Sequence, residues 1–150
     1  MTTFLFVLWM AAAPVVRPPV ALVGDWELNL ARTHYGPTVE RRIRERFTCT
    51  QNGDRLECVI RAVRAGGRQT VGRFTAPLNG APAPVTGITD VDQVRLRVDG
   101  GVLEATFSLR GAPLFGYRAY RSDDGRSLAI VTVDPVTHAA LQTVVVYDQR

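Results

Sequence analysis

Residues 93–111, QVRLRVDGGVLEATFSLRG, constrain the fold more than any other stretch of the chain. Apolar and polar residues alternate on both sides of Gly100 and Gly101, the two-residue period of a half-buried strand. Glycines suit the positive φ angles of a two-residue hairpin turn. Folding the segment there sets Val98 opposite Leu103, Leu96 opposite Ala105 and Val94 opposite Phe107, all on one face. The other face sets Arg97 against Glu104 and Arg95 against Thr106, and an opposite-charge pair of this kind favours its register by about 0.2–1 kcal/mol. A slip of one residue would turn every apolar side chain to water.

The same period recurs along the chain. RIRERFTCT places Ile43, Phe47 and Cys49 on one face and Arg42, Arg44 and Arg46 on the other. A helical spacing of Val39, Ile43 and Phe47 competes over residues 38–46, but the stretch runs straight into a hairpin and reads as a strand. RLECVIRAV, GRQTVGRFTA, LFGYRAYR, RSLAIVTVD and LQTVVVYD follow, with SDDG as a turn and only a further turn near TVDPVTHAA. With GDWELNL at the start there are about nine strands and no helix of normal length. Glycine and proline, 13 and 9 of 150 residues, fit many short strands. One all-β domain over residues 22–150 is expected, an antiparallel barrel of about eight or nine strands. An outer-membrane barrel would share the period, but it needs strands of about 9–11 residues and aromatic girdles. Aromatics are only 8% here, so the mature chain is expected not to span a membrane.

The two cysteines lie in FTCTQNGDRLECVI, where NGD signals a hairpin. Centring its loop on Gly53 and Asp54 pairs Gln51 with Leu56, Thr50 with Glu57 and Cys49 with Cys58, within reach of a disulfide. Neither a metal site nor a C-x-x-C redox motif fits this spacing, and the two histidines, His34 and His138, are distant. A structural disulfide implies an oxidising compartment. The N-terminus agrees: residues 1–13, MTTFLFVLWMAAA, are too short an apolar run to span a bilayer and end in small residues like a secretory signal. Pro14 would hinder cleavage after Ala13, which leaves a cut after Ala21 as the alternative. PVVRPP reads as a spacer, so residues 1–21 are taken as signal peptide plus spacer and the protein as periplasmic or secreted.

All eighteen basic residues are arginine, and the net charge is +4. They are spread along the chain apart from Arg41, Arg42, Arg44 and Arg46, without the aromatic interleaving or recognition helix of a nucleic-acid binder. No nucleophile elbow surrounds Ser108, Ser122 or Ser127. Asp90 and Asp92 in TDVD lack the remaining oxygens of a calcium loop and read as turn carboxylates. RAGGRQ sits in a hairpin rather than before a helix, so it is not a phosphate cradle. No catalysis, cofactor or metal is expected.

Gly24-x-Trp26 near the start of the first strand resembles the opening motif of lipocalins, ligand-binding antiparallel barrels. The order VGDWELNLARTHYGP, APVTGITDVDQVRLRV, YRSDDGRSLAIVTV and VVVYDQR resembles small exported bacterial lipocalin-like proteins over residues 22–150. That resemblance implies a tryptophan packed across the closed barrel end, with a late arginine stacked on it, either Arg121 or Arg150. A barrel of about eight strands can also hold one small ligand in its mouth, and for an apolar one Phe47, Leu96, Phe107, Phe115 and Tyr117 are the expected lining. Alternatively these residues fill the interior, and the Arg41–Arg46 hairpin face docks an envelope protein.

Overall fold

In the computed structural model the described residues are 19–37 and 39–150, so the expected signal segment up to residue 18 lies outside them. Alternation becomes ten strands: β1 (Gly24–Leu28), β2 (Arg42–Asn52), β3 (Arg55–Arg64), β4 (Gln69–Pro77), β5 (Asn79–Thr86), β6 (Gln93–Asp99), β7 (Val102–Leu109), β8 (Ala112–Arg121), β9 (Ser127–Val133) and β10 (Ala140–Gln149). Each pairs antiparallel with the next, and β1 pairs with both β2 and β10, closing the barrel. Closure leaves no free sheet edge. Apolar side chains point inward, and the outer face carries Arg46, Arg61, Arg73 and Arg95 at mid-strand, the reverse of a lipid-facing barrel. Among the described residues no helix is long and apolar enough to cross a membrane.

The strand beyond the expected count is β5, whose Pro82 and Pro84 argue against a central strand from sequence. Its geometry accommodates them. The Val85 N–H donates to the Asp92 carbonyl on the β6 side, so by alternation Pro82 and Pro84 turn their missing N–H groups toward β4. There the β4–β5 pairing is confined to Arg73 with Thr86 and Phe74 with Val85. Gly87 then turns the chain at φ 75°, and its Cα lies so close to β4 that a Cβ would come 1.8 Å from the Val71 carbonyl oxygen. Only glycine fits this approach, which brings Ile88 over the barrel interior.

The hairpin registers follow the alternation. Val98 faces Leu103, Leu96 faces Ala105 and Val94 faces Phe107, while Gln51 faces Leu56 and Cys49 faces Cys58. The cysteines form a disulfide with Cα atoms 4.3 Å apart, both buried. Arg97 does stand opposite Glu104, but the Glu104 carboxylate accepts instead from Arg118 Nε of β8 at 2.7 Å. A carboxylate on a middle strand has a neighbour on each side, and the bond here goes to β8.

At one end of the barrel the chain enters as a plug. Ala21 and Leu22 are buried, so packing begins slightly before residue 22. Gly24, at φ 139°, leaves room for the indole of Trp26, whose Nε1 a Cβ at that glycine would meet at 3.1 Å. Trp26 is fully buried, and its Nε1–H donates to the Leu22 carbonyl at 3.0 Å. Arg121 lies over the ring, with Cζ 5.2 Å from its centroid, and donates through Nη1 to the Val23 carbonyl. Arg150 lies elsewhere and pairs with Glu27 on the surface.

Candidate functional site

Above this plug the interior is not filled. A cavity of about 310 Å³ runs from Leu22 to Glu40, Arg68 and Asp90 at the opposite end, where the β1–β2, β3–β4 and β5–β6 connections meet. Its lower wall is apolar and includes Phe47, Phe74, Phe107, Phe115 and the Cys49–Cys58 disulfide. Phe107 and Phe115, partners across β7 and β8, stack with centroids 4.8 Å apart. Phe74 meets Phe107 edge-on at 6.2 Å, and Phe47 meets Tyr147 edge-on at 4.9 Å. Such contacts between rings are each worth about 0.5–1.5 kcal/mol beyond the area they bury.

Four of the five expected lining residues, Phe47, Phe107, Phe115 and Tyr117, do border the cavity. Leu96 does not; it is fully buried in the solid part of the core between Val94 and the plug end. Its parity on β6 is right, but its height along the barrel is wrong for the cavity. Alternation gives a side chain's face and says nothing of its level.

The upper wall is polar. Glu45 is buried and accepts from the Tyr147 hydroxyl at 2.5 Å and from Arg42 Nη1 at 3.0 Å, both through Oε1. Arg42 Nη1 also lies 3.1 Å from the Tyr147 oxygen, closing a three-membered cluster. Burial, reinforced by the Glu45 charge, raises Tyr147 well above the usual phenol range. Tyr117 is raised in the same direction by burial. For Arg42 burial opposes the charge, but Glu45, Tyr147 and Tyr35 together outweigh it and hold the guanidinium protonated. Arg64 reaches the same space, with Nη1 3.9 Å from Glu40, and Arg68 approaches Glu40 at 3.5 Å on the rim.

The placement of Arg42 corrects the reading of the arginine cluster as one outward face. The β2–β3 register shifts between Arg42 and Arg44, a bulge that gives β2 one extra residue. Above it Arg42 turns into the barrel and Ile43 is left 52% exposed; below it Arg44 and Arg46 point outward. Arg46 is bonded to Asp25, with Nε 3.0 Å from Oδ1, and this bond lowers the Asp25 carboxyl. Arg41 and Arg44 are exposed and make no such bond among the described residues.

Glu45, Arg64, Phe74 and Tyr147 were not among the expected site residues, although their signal was present. Counting by twos from Cys49 passes Phe47 and reaches Glu45; from Cys58 it passes Ile60 and Ala62 and reaches Arg64. A charged residue at an inward position of two adjacent strands marks a polar interior. For Arg42 there was no such signal, because its parity points outward until the bulge inverts it.

Among the described residues no three His, Cys, Asp or Glu side chains gather as a metal site. Asp92 takes the Arg110 N–H through both carboxylate oxygens at 3.0 and 3.2 Å, as a turn carboxylate does. Comparison with known protein families, curated proteins and solved structures returns no match to this chain.

Proposed function

We propose that this protein is a non-catalytic, exported, lipocalin-like carrier that holds one small, largely apolar molecule inside the barrel. The cavity carries this reading. It is enclosed by strands and walled below by aromatic rings, and at about 310 Å³ it sits at the small end of the ~300–1,000 Å³ typical of ligand pockets. Trp26 plugs one end and polar groups rim the other, so a ligand has one way in. The buried disulfide supports an oxidising, periplasmic or secreted setting. A lipocalin-like assignment draws support from Trp26, its glycine and the stacked Arg121. Docking of an envelope protein is the alternative; Arg41 and Arg44 would carry it, since Arg42 and Arg46 are engaged elsewhere.

Native mass spectrometry of the protein taken from its own envelope, followed by solvent extraction, tests the carrier reading. A stoichiometric small molecule is the expected result. Calorimetry with octanol provides a second readout, and Ile60→Trp, which puts an indole in place of a branched alkyl chain at the cavity wall, should abolish the heat of binding. No extracted molecule and no octanol binding would overturn the reading.

A further inference from the structure

Arg42 and Arg64 are register partners on β2 and β3, and both side chains line the cavity. Like charges directly opposite each other weaken a sheet, and more so where the dielectric is below that of water. Among the described residues the only buried carboxylate beside them is Glu45, already bonded to Arg42 and to Tyr147. Glu40 offers Arg64 little: its side chain is 50% exposed, stands 3.9 Å away and is shared with Arg68. Arg42 therefore shares its buried carboxylate with Tyr147, and Arg64 has only a long contact to a half-exposed one. Moreover, Nε of Arg42 and Nε of Arg64 are both buried with no hydrogen-bond partner among the described residues. A buried N–H without an acceptor is costly, and one on a charged group more so.

We propose that Arg42 and Arg64 receive the acidic head group of an amphipathic monocarboxylate whose apolar part lies against Phe47, Phe107 and Phe115. This deepens the carrier reading and rests on it. A carboxylate supplies what the two Nε–H groups lack: planar paired acceptors that match guanidinium N–H groups. The small cavity fits a short tail or a single ring.

Calorimetry with octanoate and octanol, which differ only in the head group, tests this on the folded, oxidised protein. At neutral pH octanoate should bind at least about tenfold more tightly than octanol, the effect of one to two hydrogen bonds to a charged group. In Arg64→Gln, whose folding is checked by circular dichroism, the ratio should fall toward one. Acidifying the wild-type protein until octanoate is protonated should lower the ratio in the same way, so the outcome does not depend on that variant folding. Octanol binding as tightly as octanoate, or an unchanged ratio in Arg64→Gln, would overturn the anionic receptor and leave the carrier standing. Binding of neither ligand would overturn the anionic receptor, and with no molecule extracted from the native protein it would overturn the carrier as well.

Discussion

The two halves of the barrel interior are built from the same alternation and behave oppositely. Around Trp26, polar atoms are matched: the indole N–H meets Leu22, Arg121 meets Val23, and Leu96, Leu103 and Leu128 leave no exposed surface. Around Arg42, Nε of Arg42 and Nε of Arg64 have no acceptor among the described residues, and the volume between the walls is open. Tight packing with satisfied polar groups is what stability selects, while open volume beside N–H groups without acceptors works against it. The lower half therefore reads as the part that holds the fold, and the upper half as the part that stability alone does not explain.

Substitutions matched across the halves should separate these roles. Trp26→Ala should have the largest effect, about 3–5 kcal/mol, because the closed end cannot collapse around the void. Phe115→Ala at the cavity should cost less than about 2 kcal/mol, since that ring already borders open volume. Urea unfolding of both variants checks the difference, and equal losses would erase the distinction. Next in size is the disulfide, which clips a hairpin of sequence separation 9. Cys49→Ala with Cys58→Ala should destabilise the barrel by about 2–3 kcal/mol on the chain-entropy estimate. Because both sulfurs border the cavity, the double variant should also alter octanol affinity; a change in stability alone would place the disulfide on the structural side.

Alkaline titration probes the upper half by itself. Burial raises Tyr117 and Tyr147 above the ordinary value of 10.0, so the unfolded chain ionises first as pH rises. Their contribution is intact below pH 10 and is lost above it, by up to about 1.4 kcal/mol per tyrosine per pH unit. The tyrosinate absorbance of these two residues should appear together with loss of the folded circular dichroism signal; ionisation in the folded state would show that the cavity is open to water at that depth. Arg121→Met should have the smallest effect, about 1 kcal/mol, because the alkyl stem still covers the indole while the cation–π contact and one hydrogen bond are lost. A thermal melt together with Trp26 fluorescence would check it, and an unchanged spectrum would show that the guanidinium does not sit on the ring in solution.

Much of this was legible in the chain itself. The pleat repeats every two residues, so Val94, Leu96, Phe107 and the cysteine pair could be assigned to faces and partners from order alone. The hairpin turns at Gly53 and Gly100–Gly101 then set the registers, because a short loop leaves one alignment that keeps apolar residues on one side. Gly24 and Trp26 pointed to the closed end only through their resemblance to the lipocalin opening motif; the structure supplies the local reason, the space that a missing Cβ leaves for the ring.

What tertiary structure decided depends on neighbours distant in sequence. Whether Pro82 and Pro84 can sit in a strand depends on which side of β5 is sparsely paired. Which arginine covers Trp26 depends on where the ends of β8 and β10 fall once the barrel closes, and closure put Arg121 there and Arg150 beside Glu27. Leu96 and Tyr117 both face inward, but only their heights in the barrel separate core from cavity. One extra residue in β2 turned Arg42 from the surface into the interior opposite Arg64. Alternation is a local property that assigns faces; strand shear, bulges and closure are collective, and they decide what each face meets.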